Sequence, residues 1–186
     1  MSRLHGFIAA DMLDSGGIVA YPTEAVWGIG CDPFQVQAVL RILQIKQRPV
    51  EKGLILVASS TDQLGRLYSS LDKLHKRTLD ADWPGPVTWL LPDPEDLVPW
   101  WIKGLHRSVA VRVSAHPVVR DLCEIFGGPV ISTSANLAGE PAIRSRLKLV
   151  MKMGAKLDYI MPGTLGGASA PSPIRDLLTG SVLRAG

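Results

Sequence analysis

The chain has 186 residues, of which 46% are hydrophobic and 20% charged, and its formal net charge is +3. This length suits a single domain, residues 1–186, with a sizeable core, and the balance excludes a disordered chain. The mild basic excess admits an anionic ligand or RNA without requiring either. The two cysteines, Cys31 and Cys123, lie too far apart for a disulfide framework or metal pattern and fit a reducing cytoplasm.

No apolar run approaches the roughly 20 residues of a membrane helix, and "MSRLHGFIAADMLDSGG" has helical spacing rather than a signal-like apolar core. A first helix is expected from Ser2 to about Leu13, with Leu4, Ile8 and Met12 as its stripe and "SGG" as its stop. "IVAYPT" reads as a buried strand ending at a proline. "DPFQVQAVLRILQIK" reads as a helix capped by Asp32, with Pro33 at its first position and Val36, Val39, Leu40 and Leu43 turned inward. "GLILVAS" is a strand, and "TDQLGRLYSSLDKLHKRTLDAD" is helical in two pieces. "PVTWLLP" and "SVAVRVS" are strands flanking a Trp-rich loop, "VPWWIKG". "HPVVRDLCEIFGG" is a helix closed by Gly127, and "PVISTS" is a strand. "RSRLKLVMKMG" is a helix with Arg144, Lys148 and Lys152 on one face, and "DYIMPG", "SPIRDLL" and "SVLRAG" are short terminal strands. Strands alternate with helices, so the class is α/β with a largely parallel or mixed sheet and some antiparallel pairing near the end. "GTLGGASAPSP" is the best candidate for a mobile loop.

Five constellations carry candidate chemistry. Lys46, Arg48 and Lys52 fall on the connection between a helix and a buried strand, where a guanidinium and ammoniums suit a phosphate or carboxylate; a solvated basic loop is the alternative. "VISTSANLAGEP" ends a strand in Ser132, Thr133, Ser134 and Asn136, a donor-rich turn at the end of a strand where α/β sheets bind ligands, or a turn that satisfies its own backbone. "WPGPVT" presents Thr88 before a strand or is simply a structural turn, and "AYPTEAVWGIG" presents Thr23 and Glu24 after a buried strand. Arg112, among valines, needs a partner, either an acid of the fold or an anionic ligand.

The chain contains no phosphate loop of the G-x-x-x-x-G-K-[ST] type, no dinucleotide fingerprint, no H-E-x-x-H, no Cys/His ligand set and no G-x-S-x-G elbow. His75 and His106 look surface-exposed. An enzyme of this composition binds charge and orients reactants instead of using a covalent nucleophile.

"AYPTEAVWGIGCDP", "KQRP" followed by "GLIL", "WPGPVT", "AVRVSAHP", "STSANLAGEP" and "VLRAG" occur in one order. Together they resemble the YrdC-like family of threonylcarbamoyl-AMP synthases in its short, single-domain bacterial form, from about residue 7 to 186. The resemblance implies a twisted mixed parallel/antiparallel sheet flanked by helices, with a concave, positively lined cavity. It implies condensation of L-threonine, bicarbonate and ATP to L-threonylcarbamoyladenylate and pyrophosphate, with Mg²⁺ accompanying ATP and no protein side chain as metal ligand. The product feeds the N6-threonylcarbamoyladenosine modification at position 37 of tRNA through a separate transferase complex.

By motif, the resemblance assigns Thr23, Lys52 and Arg112 to threonine, Arg112 to its carboxylate. It assigns Lys46 and Arg48 to the ATP phosphates as the catalytic cations, and Thr88, Ser114, Ser132, Ser134, Asn136, Ser172 and Arg184 to the nucleotide. "SPIRD", residues 172–176, departs from the Ser-Thr-Val-Val-Asp of many relatives, and the second domain of the longer members is not expected. Two other readings stand beside this one. One is a non-catalytic RNA-binding module that takes tRNA or double-stranded RNA on the basic face of residues 144–156. The other is a carbamoyl-adenylate module, which normally sits in longer, cysteine-rich chains.

Overall fold

The computed structural model describes residues 3–185. Nine strands are formed: β1 (Val19–Pro22), β2 (Trp27–Gly30), β3 (Ile55–Ala58), β4 (Thr88–Pro92), β5 (Ser108–Val113), β6 (Val130–Ser134), β7 (Tyr159–Ile160), β8 (Ile174–Asp176) and β9 (Val182–Arg184). They hydrogen-bond into one mixed sheet in the order β7-β1-β2-β6-β3-β5-β4-β8-β9. Only β1–β7, β3–β5 and β4–β8 are parallel; the other pairs are antiparallel. Where the links are tight turns, as between β1 and β2 and between β8 and β9, pairing is antiparallel because a parallel return needs a crossover of about a dozen residues or more.

The helices are α1 (Arg3–Asp14), α2 (Val36–Lys46), α3 (Arg66–Ser69), α4 (Lys73–Asp82), α5 (Trp100–Lys103), α6 (Pro117–Phe126) and α7 (Arg146–Met153). Successive strand residues point to opposite faces, and the core divides accordingly. Ile18, Ala20, Leu56, Ala58 and Ile131 pack with Val39 and Ile42 of α2, Leu79 of α4, Ile102 of α5 and Leu149 of α7. Val19, Tyr21, Val57 and Val130 pack with Ala9 and Leu13 of α1 and Val119 and Leu122 of α6. Burial on both faces explains why the central strands read as continuous apolar runs.

The second face is only partly covered by α1 and α6. Beyond them it carries Ile55 and the small or polar residues Gly28, Ala110, Arg112, Ser132 and Ser134, which line a cavity. Register aligns these residues: Gly28 faces Ser134, Ile55 faces Ser132 and Ala110, and Val57 faces Arg112. Gly30, on the same face of β2, admits no side chain, because a Cβ there would lie 2.1 Å from the Ile131 carbonyl oxygen.

Several expectations are corrected. The buried face of α1 is Gly6, Ala9, Ala10 and Leu13, with Leu4 exposed; Ser2 lies outside the described residues. α2 begins at Val36, not at Asp32; the Asp32 carboxylate instead accepts the Phe34 N–H in a local turn. Its inward residues are Ala38, Val39, Ile42, Leu43 and Lys46, and Leu40 faces outward. α7 starts at Arg146, which leaves Arg144 on the preceding loop. The Trp-rich segment contains α5, and His75 is half-buried against Asp72. Both cysteines are buried free thiols. Among the described residues no helix is long and apolar enough to cross a membrane.

Candidate active site

The cavity has a volume of about 600 Å³, within the range of small-molecule sites. Its first wall is the end of α2. The helix stops because Gln47 takes a left-handed conformation, φ 48°, and its N–H folds back onto the Gln44 carbonyl. Lys46, the last helical residue, is thereby turned inward and buried. Its Nζ donates to Asn136 Oδ1 at 2.5 Å, to the Ser134 carbonyl at 2.5 Å and, more weakly, to Ser134 Oγ at 3.4 Å. Burial, and secondarily the charge of Arg48, push the Lys46 amine down to about 8.

Arg48 grips its own loop. Its Nε donates to the Gly53 carbonyl at 3.1 Å, and its Nη2 to the Lys52 and Gly53 carbonyls at 3.2 and 2.9 Å. Gly53 is required at this turn: its φ is +62°, and a Cβ would meet the Lys103 carbonyl oxygen at 2.9 Å. Burial lowers the Arg48 pKa from its ordinary value. Lys52 is exposed at the cavity rim.

The second wall is the turn after β6. Asn136 Oδ1 accepts from Ser134 Oγ at 2.7 Å as well as from Lys46, while its Nδ2 donates to the Glu140 carbonyl at 2.7 Å and the Leu137 carbonyl at 3.1 Å. The amide is therefore fully used and the turn is fixed. The third wall is β8, β9 and the segment before them. Arg184 donates to the Ser172 carbonyl through Nη2 at 2.6 Å and Nε at 3.2 Å, and Ser172 Oγ lies 3.0 Å from Thr88 Oγ1. Burial, followed by repulsion from Arg112 and Arg48, lowers the Arg184 pKa, so the three guanidiniums feel one another.

The floor carries Arg112, whose buried charge is answered by an acid of the fold. Its Nη2 lies 3.4 Å from Glu24 Oε2, and Glu24 Oε1 accepts from Ser114 Oγ at 2.6 Å. Thr23 sits beside it, its hydroxyl donating to the Val26 carbonyl at 2.7 Å. The segment expected to be a mobile loop is tied down: Gly166 and Ala168 donate to the Thr23 and Glu24 carbonyls at 3.0 and 2.9 Å.

Of the residues singled out in the sequence, Thr23, Lys46, Arg48, Lys52, Arg112, Ser132, Ser134, Asn136, Ser172 and Arg184 line this one cavity. Thr88 and Ser114 do not line it; both are fully buried one layer behind, against Ser172 and Glu24 respectively. The two hydroxyls support Ser172 and Glu24, which do line the wall. Glu24, which the sequence reading left without a role, also lines the cavity, as do Lys103 and His106. The need of Arg112 for a partner was the signal that pointed toward Glu24. Lys103 is neutralised by Asp93 at 3.0 Å and by Asp96, and its pKa is raised by those hydrogen bonds despite burial.

The basic face proposed for RNA is largely spent on the fold. Arg144 donates to the Ala168 and Ser169 carbonyls at 2.9 Å each, and Lys152 pairs with Glu140 at 2.7 Å. Among the described residues no cluster of three His, Cys, Asp or Glu side chains is placed to hold a metal ion.

Comparison with known proteins adds an independent line. The Sua5/YciO/YrdC family model, described as "Telomere recombination", matches residues 11–186. A Pseudomonas aeruginosa protein named threonylcarbamoyl-AMP synthase is 53% identical over 184 residues, 99% of this chain and 98% of its own length. The P. abyssi Sua5 structure complexed with L-threonine superposes with a TM-score of 0.89 at 31% identity, over 98% of this chain and 53% of that longer one. E. coli YciO superposes with a TM-score of 0.86 at 25% identity, over 100% of this chain and 90% of its own.

Proposed function

The chain belongs to the Sua5/YciO/YrdC family, and on that premise we propose that it is a threonylcarbamoyl-AMP synthase, a nucleotidyltransferase that joins L-threonine, bicarbonate and ATP and releases pyrophosphate. The observation that carries the reading is the convergence of Lys46, Arg48, Arg112 and Arg184 on one cavity together with the Ser134–Asn136 turn.

Each group has a task that its position supports. Lys46 and Arg48, with Arg184 opposite, neutralise the triphosphate and the charge that grows on the departing pyrophosphate. Ser132, Ser134, Asn136 and Ser172 supply the polar lining for the nucleotide. Arg112 receives the threonine carboxylate, and Thr23 and Lys52 border the same subsite. The carbamate oxygen attacks the α-phosphate and the bond to pyrophosphate breaks; the carbamate is already anionic, so alignment and charge neutralisation are what the chain contributes. ATP enters as its magnesium complex. Glu24 is the single carboxylate on the described lining, too few for a protein-held metal, which supports a metal carried by the substrate. The product is handed, in the cytoplasm, to a transferase complex that modifies tRNA.

The test is pyrophosphate release from purified protein with Mg-ATP, bicarbonate and L-threonine, each omitted in turn. Release that requires all three supports the reading; release independent of threonine and bicarbonate, or none, overturns it. Lys46→Ala and Arg48→Ala should each depress release strongly in a protein that stays folded.

A further inference from the structure

We infer that Glu24 is the group that receives the α-ammonium of the substrate amino acid, so that Glu24 and Arg112 together select a zwitterion. This rests on the reading of the cavity as a threonine site.

Four observations converge on Glu24. It is the carboxylate among the residues lining the cavity, where the other charged groups are cations. Its side chain keeps 17% of its surface exposed, against 9% for Arg112, although Oε2 itself is buried beside Arg112. Its hydrogen bonding is incomplete, because Oε1 accepts from Ser114 while Oε2 has no hydrogen-bond partner and only a loose 3.4 Å approach to Arg112. A buried carboxylate oxygen left without a donor is costly. Its backbone, finally, is held: the Glu24 carbonyl takes the Ala168 N–H at 2.9 Å, and Gly166 packs against the Glu24 Cα.

The direction of the hydrogen bonds fixes the role of Oε1. The His116 N–H donates to Ser114 Oγ at 3.1 Å, which uses the hydroxyl as an acceptor and leaves its proton for Glu24 Oε1 at 2.6 Å. Ser114, one layer behind the cavity wall, thereby holds Glu24 Oε1 as an acceptor and leaves Oε2 toward Arg112. A guanidinium beside an underused carboxylate complements an α-amino acid, whose carboxylate goes to Arg112 and whose ammonium goes to Glu24. Carbamate formation joins the nitrogen to the bicarbonate carbon, expelling the bicarbonate hydroxyl as water and releasing a proton to solvent; the positive charge is then gone, and Glu24 repels the new anionic oxygens toward the cations Lys46 and Arg48.

The experiment compares L-threonine with its 2-hydroxy analogue, (2S,3R)-2,3-dihydroxybutanoate, which keeps the carboxylate and methyl carbinol but lacks the ammonium. Binding is measured by calorimetry in the wild-type protein and in Glu24→Gln, whose amide oxygen still accepts from Ser114. The wild type should prefer threonine by about 10- to 100-fold, the worth of a charge-assisted hydrogen bond. E24Q should lose that preference by weakening threonine alone, with the analogue and a non-hydrolysable ATP analogue bound as before. Equal binding of the two acids by the wild type overturns the inference whether or not E24Q folds. Equal weakening of both acids in E24Q also overturns it, because Glu24 would then serve only to position Arg112. Threonine-dependent pyrophosphate release by the wild type, measured alongside, separates these failures from failure of the functional reading itself.

Discussion

Lys46 Nζ stands 2.5 Å from Asn136 Oδ1, so the last residue of α2 and the turn after β6 act as one unit. The two residues belong to motifs ninety positions apart in the chain, and each helps to hold the other: Lys46 donates to Asn136 beside the Ser134 carbonyl, and Asn136 Oδ1 accepts from the lysine beside Ser134 Oγ. Asn136→Ala should therefore weaken ATP binding partly by freeing Lys46. In a double-mutant cycle with Lys46→Ala, measured by nucleotide titration, the losses should fall short of additivity by about 0.5–3 kcal/mol. Full additivity would mean that the two side chains address the nucleotide independently.

The same burial makes nucleotide binding sensitive to alkaline pH. The Lys46 amine is pushed down to about 8, so it is charged below that pH and loses its proton as pH rises through it. ATP affinity should fall on the alkaline side of pH 8, approaching tenfold per pH unit if the neutral form binds no phosphate. Folding carries the opposite sign: the unfolded chain keeps this proton up to about pH 10.4, so the lysine's penalty on stability is present below 8 and is relieved between the two values. Lys46→Arg keeps its charge throughout and should flatten the ATP affinity profile between pH 7 and 9, as read by titration at each pH. A profile unchanged by the substitution would remove Lys46 from the alkaline limb.

The strands and the polar motifs were legible because both are written in local pattern, a period of two in "SVAVRVS" and small hydroxyls at the end of "PVISTS". The buried face of α1 was not. Counting only large apolar residues selected Leu4, Ile8 and Met12, of which Met12 packs against the core and Leu4 is exposed, whereas the helix is most deeply buried at Gly6, Ala9, Ala10 and Leu13, and a Cβ at Gly6 would lie 2.4 Å from Ile125 Cδ1 of α6. Close helix contact rewards small side chains, and a periodicity count that weights size misses it. The burial of Ser114 was not legible for a related reason. It shares its strand parity with Arg112, but His116 and the segment after Met161 cover it, and no property of "AVRVSAHP" encodes that covering. The departure "SPIRD" likewise acquires a reason only in three dimensions: Arg175 lies over the Trp89 ring at 5.7 Å, with Asp82 3.8 Å away.

Arg48 should not tolerate lysine. Its fork spans the Lys52 and Gly53 carbonyls while the side chain lines the cavity, and an ammonium cannot make those parallel contacts. Arg48→Lys is expected to lower kcat/KM for ATP by roughly 10- to 100-fold, equivalent to about 1.5–3 kcal/mol. Amide exchange should quicken across residues 50–53, the turn that the guanidinium braces. Near-normal turnover would show that charge alone suffices at this position.

Arg144 distinguishes the fold from an RNA surface. The three cations of the proposed basic face would behave alike if RNA were their purpose: each alanine variant would weaken RNA binding and leave adenylate synthesis untouched. The structure separates them. Arg144 holds the Ala168 and Ser169 carbonyls at 2.9 Å, and that same segment continues through Ala170 and Pro171 to Ser172 along the cavity wall. Lys148 is exposed on α7, and Lys152 forms a surface pair with Glu140. Surface pairs of this kind contribute little. Arg144→Ala should therefore reduce kcat/KM for ATP by roughly tenfold, the value of about one charge-assisted hydrogen bond, whereas Lys148→Ala and Lys152→Ala should leave it within about twofold. Steady-state pyrophosphate release for the three variants decides the matter, because uniform indifference would mean that the 163–173 segment keeps its position without Arg144.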